Sequence, residues 1–182
     1  MAIVTPADAK AQLNIPSADT SQDTELTAFI AAATEVVEHI TGPVEARQVV
    51  EVHDGGQGAI VLREPPVLSV TSVTEGGVTV PSTGYVLSSA GVLYRTPGAW
   101  STGWNAVTVT YQAGRSTVPP SIRQAVLELV AVNFRSQQGG NYSPFDSGAD
   151  AGDQGGQPRL GFFVPNRVMQ LLDPHRQGGG FA

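Results

Sequence analysis

A chain of 182 residues with net charge −6, 41% apolar residues and no cysteine fits one globular domain, or one domain with a sub-domain. It should bury roughly 70% of its unfolded surface. It offers no disulfide and no thiolate for catalysis or metal binding, and an acidic chain is poorly suited to gripping a nucleic-acid backbone.

The charge is uneven. Residues 1–75 hold eleven acids against Lys10, Arg47 and Arg63, whereas residues 76–182 hold five acids against seven arginines. Such unlike halves can complement each other between copies, and ordinary surface charge explains them equally well. The opening MAIVTPADAK lacks a basic leader and an apolar run, so no secretory signal is expected. No apolar stretch approaches about 18 residues, so no membrane span is expected either.

Thr5 is a suitable N-cap, with Pro6 at the first helical position and Asp8 at the third. A short helix to about Leu13 follows, stopped by Asn14, Ile15 and Pro16. After a polar turn at residues 17–23, a longer helix is predicted over 21–41. Leu26, Phe29, Ile30, Ala33, Val36, Val37 and Ile40 recur there at three- and four-residue spacing, and Gly42-Pro43 ends it.

From residue 44 to 114 the period shifts towards two and β-branched residues dominate. Strands are predicted at 46–53, 58–63, 67–74, 78–80, 84–88, 92–95 and 105–111. Glycine and proline turns separate them. Antiparallel hairpins, closed or nearly closed, are expected, with Tyr94, Trp100, Trp104 and Tyr111 packed on the sheet.

Residues 118–135 (VPPSIRQAVLELVAVNFR) form the centre of the fold. Proline is accepted in a first helical turn, and Ser121 with Gln124 has capping-box spacing. The segment is apolar nearly all round, which marks a buried helix. Only a narrow strip through Gln124, Glu128 and Arg135 is free to face water or a neighbouring subunit. Residues 136–160 then hold six glycines and few large apolar side chains, which predicts an arm without a packed core. A final short helix is expected within 161–176, with Val168, Leu171 and Leu172 on one face.

Sites for chemistry are sparse. His39, His53 and His175 match no zinc or facial-triad spacing, and ordinary surface or packing roles are expected for them. Glu35 and Glu38 lie one helical turn apart, with nothing nearby to hold a proton on either. No nucleophile elbow, phosphate loop or zinc-protease helix is present. Catalytic, cofactor-binding and metal sites are therefore expected to be absent. Arg115 and Arg123 lie near or on the central helix without a basic run around them, so they suit an interface or a loop better than a nucleic acid.

Two segments then carry a resemblance. Residues 8–42 combine DAKAQLNI with an amphipathic helix ending in ITG, and residues 111–134 read YQAGRSTVPPSIRQAVLELVAVNF. In this order the pair resembles the head–tail connector (adaptor, or head-completion) proteins of long-tailed bacteriophages.

The elements read along the chain give an α+β fold: a helical bundle of two N-terminal helices, a buried central helix and a C-terminal helix, with an inserted antiparallel β sub-domain. The corresponding divisions are a helical core at 1–43 and 115–136, a β sub-domain at 44–114, a glycine-rich arm at 137–160, and a C-terminal helix and tail at 161–182; the β insertion and the arm depart from a minimal version of the family. The resemblance implies a structural virion protein, made in the host cytoplasm and placed at the capsid vertex. Its copies would form a ring, usually twelve-fold, under the portal protein, with a stopper or tail-completion protein beyond it. Double-stranded DNA would pass through without sequence-specific binding, and no membrane or cofactor is involved.

Within this expectation Phe162, Phe163, Val164, Val168, Leu171 and Leu172 are candidates to dock on the portal or an adjacent subunit, or to fold back on the chain's own helices. Glu35, Glu38, Arg115 and Arg123 are candidates for inter-subunit or channel positions. The alternatives are a β-rich virion module binding carbohydrate or receptor through Trp100 and Trp104, and another neck component such as a stopper.

Overall fold

The computed structural model describes residues 3–137 and 164–176. Among these, two compact units form: a β unit of residues 3, 38–119 and 175–176, and a helical unit of 4–37, 120–137 and 164–174.

The helical unit contains α1 (Pro6–Leu13), most of α2 (Asp23–Thr41), α3 (Pro120–Gln137) and α4 (Asn166–Leu172). The expected start of α1 is present in full. Thr5 Oγ1 accepts the Asp8 N–H at 3.2 Å, and the Asp8 carboxylate accepts the Thr5 N–H at 2.9 Å. These bonds hold the Asp8 carboxyl below its ordinary pKa, the Thr5 N–H first among the causes. Asn14 ends the helix in the left-handed region. Thr5→Ala is expected to destabilise the unit by about 1 kcal/mol, measured by urea denaturation followed through helical far-UV dichroism; an unchanged midpoint would remove the cap from the account.

Helix α2 starts two residues later than predicted, because the Asp19 carboxylate takes the N–H and hydroxyl of Ser21 in a local turn. It ends where expected, with Gly42 at φ 73° and its N–H on the Glu38 carbonyl at 2.8 Å. In α3, Ile122, Ala125, Val126, Leu129, Val130, Ala131 and Phe134 are buried, as the all-round apolar pattern requires. Ser121 is not its cap: it lies inside the first turn, and Gln124 reaches Glu128 instead at 3.4 Å. Phe29 meets Phe134 edge-on, with ring centres 6.2 Å apart.

The β unit has seven strands: β1 (Arg47–His53), β2 (Ala59–Val61), β3 (Val67–Glu75), β4 (Val78–Val80), β5 (Tyr85–Leu87), β6 (Val92–Arg95) and β7 (Val107–Ala113). They form two antiparallel sheets, ordered β1-β7-β3-β4 and β2-β6-β5. Ile60, Leu62, Val73, Leu93, Trp100, Val109 and Tyr111 contribute to one core shared by both sheets, so the unit is a sandwich.

The closed or nearly closed sheet expected from sequence does not form. At the gap between β1 and β2, the Arg63 N–H goes to the Glu51 side chain at 3.1 Å and the Leu62 N–H to the Gly91 carbonyl, so the ladder stops. Strand β7 is displaced two residues from its predicted position because Asn105, at φ 51°, gives its N–H to Asp54 rather than to a strand. Of the four aromatics expected on the sheet, Trp100 and Tyr111 are buried. Tyr94 and Trp104 are not, at 47% and 90% exposure.

Candidate functional site

Among the described residues no three His, Cys, Asp or Glu side chains gather as metal ligands. The candidate groups are surface positions, one cleft and one buried polar cluster.

In the helical unit, Arg123 pairs with Asp8 at 2.6 Å, and Glu35 is exposed on α2 with no ion pair among the described residues. Helix α4 packs on α3. Val168 and Leu172 are fully buried, Val164 and Leu171 half-buried, and Arg167 donates to Glu128 at 3.0 Å. The strip through Gln124 and Glu128 is thus partly taken up within the chain. Phe162 and Phe163 lie outside the described residues.

In the β unit, Glu38 and Arg115 organise the point where the chain enters and leaves the sandwich. Glu38 accepts the Val44 N–H at 2.9 Å and meets Arg47 at 3.4 Å; Arg47 also meets Glu64 at 2.8 Å. Arg115 donates to the carbonyls of Pro43 and Thr41, both at 3.0 Å, and to that of His175 at 3.5 Å. Burial lowers its pKa, and the charge of Glu38 acts in the opposite direction. The Thr41 and Pro43 acceptors are main-chain carbonyls at the end of α2, where a cation is favoured.

A cluster that the sequence did not reveal lies between the sheets. Glu51, 7% exposed, accepts the Tyr111 hydroxyl at 2.5 Å and the Arg63 N–H, and sits 2.8 Å from His53 Nε2. The Tyr111 oxygen in turn accepts the Glu64 N–H at 3.2 Å. Burial, followed by the bond to Glu51, pushes the Tyr111 pKa far above its ordinary value. A shallow cleft of about 330 Å³ opens beside it, lined by residues that include His53, Asp54, Gln57, Arg63 and Asn105. The one available clue was parity: Val49, Glu51 and His53 alternate on the same side of β1 as the core residues.

The family model for head completion proteins matches residues 2–177. The chain belongs to this family. Head completion proteins are structural proteins of the virion. Three chains of gene transfer agent particles share the fold of this head completion protein, each at 20% identity. One, from the virion of a native particle, gives a TM-score of 0.63, covering 98% of this chain and 92% of its own. A second, from the neck of an empty particle computed with C6 symmetry, gives 0.61 over the same shares. A third, from the neck of a native particle computed with C12 symmetry, gives 0.56 over 100% and 94%. No curated protein sequence matches.

The two segments that carry the sequence resemblance fall on α1 and α2, and on the end of β7 with α3. No helix among the described residues is long and apolar enough to cross a membrane.

Proposed function

We propose that this head completion protein is a head-to-tail adaptor. Twelve copies form a ring under the portal of a phage-like particle, extend the DNA channel and present a docking surface to a stopper or tail-completion protein. The observation that carries this reading is the fold shared along essentially the whole chain with neck chains solved under six-fold and twelve-fold symmetry. The charge agrees with it: a passage through which DNA slides must not hold it, and the chain is net −6 with Glu35 exposed. The arginines near and on α3, Arg115 and Arg123, already serve the chain's own fold.

A carbohydrate- or receptor-binding module is supported by Trp104 alone. Trp100 is buried, so Trp100 and Trp104 do not form a paired aromatic platform. Light scattering and negative-stain imaging, on the protein alone and mixed with the portal of its own particle, test the adaptor reading. Rings with a central hole are expected in at least one sample. A monomer that also fails to bind the portal would overturn it.

A further inference from the structure

Strands β1 and β2 follow each other in sequence yet do not pair. β1 is an edge of the four-stranded sheet and β2 an edge of the three-stranded one. The shallow cleft of about 330 Å³ is lined from both, by Val52, His53 and Asp54 and by Ala59, Val61 and Arg63.

Antiparallel strands turn their backbone groups alternately to either side. Ala106 and Gly114 use theirs towards β3, accepting the Gly76 N–H and donating to the Pro66 carbonyl. That leaves the odd-numbered residues of β7 to bond the odd-numbered residues of β1. The N–H and C=O of Gln48, Val50 and Val52 therefore point off the sheet, and no main-chain group meets them among the described residues. On β2 the same alternation holds. Gly58 and Leu62 bond towards β6, so Ala59 and Val61 are open, and the Arg63 N–H crosses to Glu51.

Free edges are ordinarily guarded by proline, a bulge or outward charge. β1 has no proline and pairs with β7 in unbroken register, and its own charges, Arg47 and Glu51, are taken within the chain. Arg47, Arg95 and Arg115 all have acceptors in the β unit, whereas the Arg63 guanidinium has none among the described residues. Asp54 already accepts the Asn105 N–H. Open amides and carbonyls at every second residue are matched by the main chain of another extended segment, and a free guanidinium beside them is matched by a carboxylate. Two copies joined β1 to β1 would make a closed two-fold dimer, not a ring.

We propose that an extended segment of another protein of the particle, carrying an Asp or Glu side chain, adds as a strand to β1 along residues 48–52. Its carboxylate pairs with Arg63. The main-chain bonds hold the segment and Arg63 sets its register. This contact rests on the adaptor reading and specifies the chemistry by which the ring takes hold of a partner.

Particles carrying benzoyl-phenylalanine in place of Val52 are irradiated and the adduct is identified by mass. The expected adduct joins this chain to a different particle protein, on a segment that contains Asp or Glu. In wild-type particles the Gln48, Val50 and Val52 N–H groups should exchange about tenfold more slowly than in the isolated chain. Arg63→Glu should lower the adduct yield by about tenfold, with the thermal midpoint of the isolated chain unchanged. Val50→Pro, which removes one open N–H at an edge that tolerates proline, should do the same. An adduct between two copies of this chain, no adduct, or full yield from Arg63→Glu would overturn the strand addition and leave the adaptor reading standing. Absence of rings from the wild-type chain, with and without the portal, would overturn both.

Discussion

Glu51→Ala is expected to lower the stability of the β unit by about 3–5 kcal/mol, the cost of leaving several buried donors without an acceptor. The substitution strands the Tyr111 hydroxyl and the Arg63 N–H and removes the partner of His53. Glu51→Gln retains an acceptor oxygen and should lose roughly 1–2 kcal/mol. Urea denaturation followed through the buried Trp100 measures both, in a Trp104→Phe background to remove the exposed indole. A loss for Glu51→Ala below about 1 kcal/mol would show that water replaces the carboxylate.

The same cluster fixes an alkaline limit. Folding raises the Tyr111 pKa, with burial as the largest cause. Below the unfolded tyrosine value of about 10, both states hold the phenolic proton and stability is unaffected. Above it, the unfolded chain releases the proton while the folded one retains it, so stability falls as pH rises through the folded value. Tyr111→Phe should remove this alkaline slope and also lose the hydroxyl's bond to Glu51 at every pH.

Gly114→Val is the second large effect, about 3–5 kcal/mol from strained backbone and overlap together. Gly114 has φ 107°, its N–H bonds to the Pro66 carbonyl at 2.8 Å, and any Cβ would overlap the Glu45 carbonyl. Gly98 is a matched control: its φ is 92° and a Cβ there meets nothing within 4 Å. Gly98→Val should therefore show the backbone cost alone, about 1–3 kcal/mol. Equal midpoints for the two variants would show that the crossing at Glu45 relaxes without cost.

The helices were legible because their signals are local. Thr5 and Asp8 cap α1 within four residues, and Gly42 stops α2 at the residue where it occurs. Asp19 was a local signal too, yet its turn competes with the helix start and wins. The sandwich was legible as strands but not as two open sheets, because closure depended on where the Arg63 N–H goes. The cluster was illegible for a similar reason: Glu51 and Tyr111 are sixty residues apart, and only the β1–β7 register brings them together. Arg115 answers to main-chain carbonyls, which leave no trace in side-chain identity. Trp104 was expected on the sheet from its chemistry alone, whereas the tight backbone of its loop, with the Gly55 N–H on the Gly103 carbonyl, holds it outward.

The meeting of Glu45 with Arg115, a single parallel bridge reinforced by the arginine's bonds to Thr41 and Pro43, has an evolutionary consequence. The chain departs into the sandwich and returns from it at one place, so everything in between is a cassette with adjoining ends. Strands can be lengthened, lost or exchanged for another small fold inside that cassette while the junction keeps its geometry. Lineages facing different tail machinery could thus remodel this part freely, and sequence divergence should concentrate between residues 46 and 113, with Gly114 and Arg115 held constant.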